Sequence, residues 1–269
     1  MRNLSVWFVL VLALSAGCSR AEEPRLEPPA DAPPADAVVA GVEAVSGPLS
    51  FDVSGERMNG EVRLAMLEAP DETLSRTLLE AELAAGRVRL DPVREGPDRY
   101  GRTIARVWRP IDEAGWVSVQ ARLVSQGAAR VLAYPDNDPE EITALLASEA
   151  EARAAGAGIW GDPQYGVRDT NPDLLMQDAG GLHLVEGRVM SVAILQSGRT
   201  YLNFGSDWRT DFTIRVEAED VAGFETAGYD LEALEGRRVR VRGIIRRENG
   251  PMIRLENPLR LERLDEMAD

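Results

Sequence analysis

Arginine is the side chain with which this sequence has most means to do chemistry. All 30 of its basic positions are Arg, beside a single His (His183) and a single Cys (Cys18). A guanidinium offers a planar fork of donors that matches phosphate and carboxylate oxygens, although codon bias also produces all-Arg chains. The scarcity of other reactive types removes several chemistries. Structural zinc, a disulfide framework, a CxxC redox pair and a multi-His metal site all need more Cys or His than are present. Without Lys there is no P-loop G-K-[ST] and no Schiff-base lysine. His183 would have to serve a Ser-His-Asp triad alone, and no G-x-S-x-G accompanies it. What remains is Arg acting with carboxylates, and the chain has 45 of these, for a net charge of −15.

The elements that must position such groups follow from the pattern of apolar residues. With 269 residues, 44% of them hydrophobic, the chain can build one large or two small domains. Alternation predicts a strand over 61–67, then a helix over 71–85 with Leu74, Leu78 and Leu79 at helical spacing before Gly86, and a return to strand at 88–90. A further strand is predicted over 103–108, a helix over 117–126 stopped by Gly127, and a longer helix over 139–155 with Ile142, Leu145, Leu146 and Ala152 on one face. This order, α+β and mainly β, fits a small barrel carrying helices over 38–167.

Ahead of it, residues 1–18 carry Arg2, an apolar run over 6–14, and Ser15-Ala16-Gly17-Cys18. That is the pattern of a signal peptide, too short for a spanning helix. Its end resembles a bacterial lipobox, which predicts lipidation of Cys18 and export to the periplasmic face of the outer membrane or the cell surface. The membrane partner would be reached through that lipid. Residues 19–37, with five Pro among Glu, Asp and Ala, read as an extended tether. A second interruption over 162–181 places a linker at 168–181 and a second domain at 182–265.

Three segments of the first domain, in order, resemble staphylococcal nuclease (thermonuclease) domains. Arg63-Leu64-Ala65-Met66-Leu67-Glu68-Ala69-Pro70-Asp71 resembles their R-L-x-x-x-D-x-P-E stretch, and Asp98-Arg99-Tyr100-Gly101-Arg102 their D-x-Y-G-R turn. Residues 123–129, with Glu149, Arg153 and Gly158-Ile159-Trp160, match the rest. The resemblance implies a nuclease-type OB barrel in which Arg63 and Arg102 grip the scissile phosphate and Asp71 activates water. By the same resemblance, Arg99 and Tyr100 meet a terminal phosphate, and Glu68 stands where the family has a calcium ligand. Glu149, Arg153 and Trp160 would hold the last helix to the barrel. The sequence departs from the family in two respects. Ser46-Gly47-Pro48-Leu49 replaces the acidic D-G-D-T motif, leaving the Ca2+ site incomplete unless a bulge brings Asp52 in. Glu68 and Asp71 each differ from the family residue by one methylene, and a one-residue shift would put Glu72 in the place of Asp71.

Over 184–264 the pattern gives three strands, a short helix over 229–234 and two further strands, the order of a second, small OB-like five-stranded barrel. Tyr201, Phe204, Trp208 and Phe212 are of the type that stacks bases, with Phe204 and Phe212 better suited to the core. Residues 236–263 hold nine Arg against three Glu, and Arg238, Arg240 and Arg242 alternate onto one strand face. The Pro-rich stretch and Gly180-Gly181 predict few contacts between the two domains.

Two functions fit these readings. One is an exported, lipid-anchored phosphodiesterase acting on DNA or RNA. The other is a tandem-barrel lipoprotein with a degenerate nuclease site that binds nucleic acid or another ligand. Neither reading calls for an obligate protein partner.

Overall fold

A computed structural model describes residues 32–111 and 115–264. The signal peptide, Cys18 and most of the tether therefore lie outside the described residues. Among the described residues no helix is long and apolar enough to cross a membrane.

The first unit is a closed five-stranded barrel. Its strands are β1 (Val38–Val45), β2 (Ser50–Ser54), β3 (Gly60–Leu64), β5 (Arg87–Pro92) and β6 (Thr103–Pro110). They pair in the ring β1-β2-β3-β6-β5-β1, all antiparallel except β3 with β6. Alternation along these strands sends Phe51, Val62, Leu64, Leu90 and Val107 inward, where all are fully buried. Burial at that depth stabilises by roughly 1.5–3 kcal/mol per large side chain. The predicted strand over 61–67 divides in two, because Met66 takes a left-handed φ of 63° between β3 and β4 (Leu67–Glu68). That turn carries the chain out of the barrel wall, and β4 pairs with β8 (Arg130–Val131) instead.

Three helices close the barrel. Asp71 caps α1 (Glu72–Glu82), its Oδ1 accepting from the Thr73 and Leu74 amides at 3.1 and 3.0 Å. The start of the predicted helix over 117–126 is extended as β7 (Trp116–Ser118), after which Ser118 caps α2 (Val119–Ser125). Asp138 and Pro139 open α3 (Pro139–Ala154). After α2, Gly127 lies so close to the backbone at Ala157 that a Cβ there would strike its carbonyl, and its φ of 65° is in the left-handed region that favours glycine.

The linker over 168–181 is ordered, with a short helix α4 (Pro172–Gln177) capped by Asn171. The second unit is a curled sheet of seven strands where five were expected: β9 (Leu182–Arg188), β10 (Ser191–Ile194), β11 (Thr200–Asn203), β12 (Thr213–Val216), β13 (Arg238–Arg247), β14 (Pro251–Arg254) and β15 (Leu261–Arg263). The expected first strand breaks at Val189–Met190 into β9, which pairs with β13, and β10, which pairs with β11. The helix of this unit is α5 (Ala218–Thr226), upstream of the predicted 229–234, where only a 3-10 turn (Glu232–Leu234) forms. Phe212, Ile214, Phe224, Val239 and Ile253 make its core. Phe204 packs on Phe212 with ring centroids 5.0 Å apart, whereas Trp208 is exposed.

Two expectations are corrected by the contacts of β13. Its alternating Arg side chains do share a face, but they are neutralised and are not a free cationic stripe. Arg238 pairs with Glu186 at 2.5 Å, and Arg240 with Glu186 and Glu262 at 3.0 and 2.8 Å. The junction is also rich in polar contacts. Arg242 is buried against Glu149 of α3, Arg130 donates to the Leu182 carbonyl at 2.8 Å, and Arg260 donates to the Ala133 carbonyl at 2.5 Å.

Candidate active site

Arg63 stands next to the end of β3, and Arg102 just before β6, the strand that pairs with β3 in parallel. That pairing puts the two guanidinium groups on one cleft of about 380 Å³, whose other walls include Met66, Arg94, Asp98, Tyr134 and Asn137. Arg63 is aimed by backbone: its Nη1 donates to the Leu64 carbonyl and its Nη2 to the Leu67 carbonyl, each at 3.1 Å. Burial first, and then the charge of Arg102, push the Arg63 guanidinium below its ordinary pKa, with Tyr134, Asp98 and Glu68 opposing. Two cations that disfavour each other across a cleft form a place for an anion.

Arg102 is held by Asp98. The Arg102 Nε and Nη2 donate to Asp98 Oδ2 at 3.0 and 2.8 Å, while Oδ1 accepts from the Tyr100 and Arg102 amides at 2.9 and 3.0 Å. The D-x-Y-G-R turn thus presets its own arginine. Tyr100 projects from this turn, largely exposed, with Arg99 and Arg102 stacked 4.8 and 4.9 Å from its ring. Arg99 and Tyr100 are not among the cleft's lining residues and sit beside Arg102.

The acids are placed differently from their implied roles. Asp71 is engaged as the α1 cap. Glu68, on β4, has an Oε2 that is buried without a partner. Burial lifts its carboxyl to about 7 against the pull of Arg130, with Glu149 adding to the rise and Arg63 opposing it. Glu72 is exposed in the first turn of α1. Asp52 lies mid-strand opposite Ala44 and Glu61; the bulge in this ladder is in β1, between Val42 and Ala44.

These donors do not fit a calcium ion. Glu68 offers one orphaned oxygen, but no group of three or more His, Cys, Asp or Glu able to hold a metal forms among the described residues. At the β1–β2 turn the Ser46 hydroxyl bonds Ser50 and Glu61, and Arg76 donates to the Val45 and Ser46 carbonyls at 3.0 and 2.9 Å. A guanidinium thus already serves the turn where the resemblance places the main calcium carboxylate.

Residues 62–162 match the family model described as staphylococcal nuclease homologue. The chain is 32% identical over 123 residues to Protein ParB of Escherichia coli, covering 42% of this chain and 67% of that one. The chain belongs to the staphylococcal nuclease family. It is also 38% identical over 74 residues to Thermonuclease of Staphylococcus intermedius, covering 28% of this chain and 40% of that relative's length. The matched part of the nuclease fold contains Arg63, Glu68, Asp71 and Arg102, and it ends before the second sheet. Nucleases of this family use Ca2+, and the donor set described above does not form a site for it among the described residues.

Two further residues of the cleft belong to none of the family motifs. Tyr134 lines the cleft from the irregular segment between β8 and α3, and Asn137 folds that segment by accepting the Tyr134 amide at 2.8 Å. A Tyr-Pro-Asp-Asn-Asp cluster is a turn signal, and an aromatic side chain opening a turn beside a site was the available hint. His183 is half-buried on β9, 3.9 Å from Asp178, and does not line the cleft.

Proposed function

We propose that this protein is a phosphodiesterase of the thermonuclease kind that cleaves DNA or RNA. The convergence of Arg63 and Arg102 on one cleft carries the reading. A phosphodiester gathers charge on its non-bridging oxygens as water adds, and two preset guanidinium forks stabilise that charge more than they stabilise the bound substrate. Water activation falls to the carboxylates that follow Arg63, Glu68 and Asp71. Arg99 and Tyr100, beside Arg102, suit a terminal phosphate and its sugar. Export and lipidation at Cys18 belong to the same reading, and Cys18→Ser should then release the protein to the soluble periplasmic fraction or leave it uncleaved.

The incomplete acid set favours a second reading, a catalytically degenerate lipoprotein that binds nucleic acid or another ligand. Its second sheet offers a groove of about 410 Å³ lined in part by Leu195, Tyr201, Trp208 and Met252. One assay separates the two readings: a soluble form of the chain with labelled DNA and RNA, in calcium or in chelator. Cleavage supports the enzyme, and retention without cleavage supports the binding protein.

A further inference from the structure

Glu149 is fully buried on α3, where a carboxylate needs both hydrogen bonds and a counter-ion. Its own unit supplies the Val131 amide, which donates to Oε2 at 2.7 Å, and Arg153 only at 3.6 Å. The close partner comes from the second sheet. Arg242 of β13, 2% exposed, sets Nη1 at 2.8 Å from Oε2 and Nη2 at 3.0 Å from Oε1. The same Nη1 donates to the Val131 carbonyl at 3.0 Å. Both polar groups of the Val131 backbone are therefore held by this ion pair.

Val131 is the β8 residue opposite Leu67 on β4, and the Leu67 carbonyl is one of the two that aim Arg63. An unbroken series of contacts thus runs from Arg242 through Val131 and Leu67 to the guanidinium in the cleft. The second sheet also holds the segment that follows β8, since Arg260 donates to the Ala133 carbonyl and Asn257 to the Tyr134 carbonyl at 2.5 and 2.8 Å. Tyr134 is itself a wall of the cleft.

We propose that Arg242 is a positioning residue for Arg63, and that the second sheet is a fixed brace of the phosphate site. For its catalytic consequence this rests on the nuclease reading. Its geometric consequence does not. Held at both Nη atoms by carbonyls, of which the brace keeps the Leu67 one in place, Arg63 rotates slowly about its guanidinium bonds. Loosening the β4–β8 ladder frees it.

The test uses the full chain. Arg242→Met alone strands a buried carboxylate, so the Glu149→Gln/Arg242→Met double variant, which removes both charges, carries the measurement, with Arg242→Lys as the conservative comparison. The readouts are the Arg63 guanidinium NMR resonances, the thermal transition, and kcat and KM on a 5′-phosphorylated single-stranded oligonucleotide. The expected result is a double variant that melts cooperatively, with averaged Arg63 Nη protons and a kcat lowered roughly 10- to 100-fold while KM moves much less. Arg242→Lys should recover part of both effects. A cooperatively folded double variant with wild-type Arg63 resonances would overturn the proposal. If no form of the chain cleaves, the nuclease reading fails, and the Arg63 resonances still decide whether Arg242 positions it.

Discussion

Asp98 grips Arg102 through both ends of the same turn, one carboxylate oxygen on backbone amides and the other on the guanidinium at 2.8 Å. The arginine is thereby preset before any phosphate arrives, which lowers the ordering cost of binding. Against the desolvation that opposes it, the Arg102 and Tyr100 amides and the Arg102 guanidinium bring the Asp98 carboxyl down to about 2 from 3.8. A depressed carboxyl stabilises the fold above its unfolded pKa, and that contribution is lost as pH falls through the folded one. Between about pH 4 and 2 the wild type should therefore lose more stability than Asp98→Asn does. Urea midpoints across that window check this; parallel curves would contradict it.

Glu68 should show the opposite sign. Burial raises its carboxyl to about 7 from 4.5, so the folded state holds a proton that the unfolded state has released. Its contribution is fully present below pH 4.5, declines as pH rises toward 7, and is flat above that. Replacing Glu68 by Gln should stabilise the protein at pH 8 and change it much less at pH 5. Thermal melts at the two values measure the difference, and an equal effect at both would rule out the shifted carboxyl.

Asp71 has a structural duty that can be separated from a chemical one. Asp71→Ala should cost about 0.5–2 kcal/mol through loss of the α1 cap, whereas Asp71→Ser, which keeps an accepting oxygen, should cost only a small part of that. If Asp71→Ser retains stability and loses cleavage, the carboxylate activates water. If it retains both, that task belongs to Glu68.

The local motifs of the site were legible in the sequence because their contacts are local. Asp98 and Arg102 are four residues apart, and Arg63 is aimed by carbonyls one and four residues along. Arg242 and Glu149 are 93 residues apart, and neither carries a signal of its partner. Glu149 could be assigned to holding α3 in place, yet half of what it holds belongs to the second sheet. The Arg alternation of β13 read as a cationic face because pattern fixes which side chains share a face and says nothing about the acids of β9 and β15 that meet them. Helix α5 was missed for a local reason: it contains Gly223 and has no side-chain cap, while Leu231 and Leu234 downstream mimic helical spacing in what is a single 3-10 turn. The break at Met66 is likewise invisible to periodicity, since a left-handed non-glycine residue is set by the tertiary context.

The proposed phosphodiesterase activity depends most on Arg63 and Arg102 acting on one phosphate. The direct measurement is the turnover and the affinity of Arg63→Ala, Arg102→Ala and the double variant on a labelled strand that the wild type cleaves. Each single change should lower turnover by roughly 100- to 1000-fold while weakening binding far less, and the double variant should lose little more than either alone. A double variant that cleaves at the wild-type rate in contaminant-free preparations would contradict it.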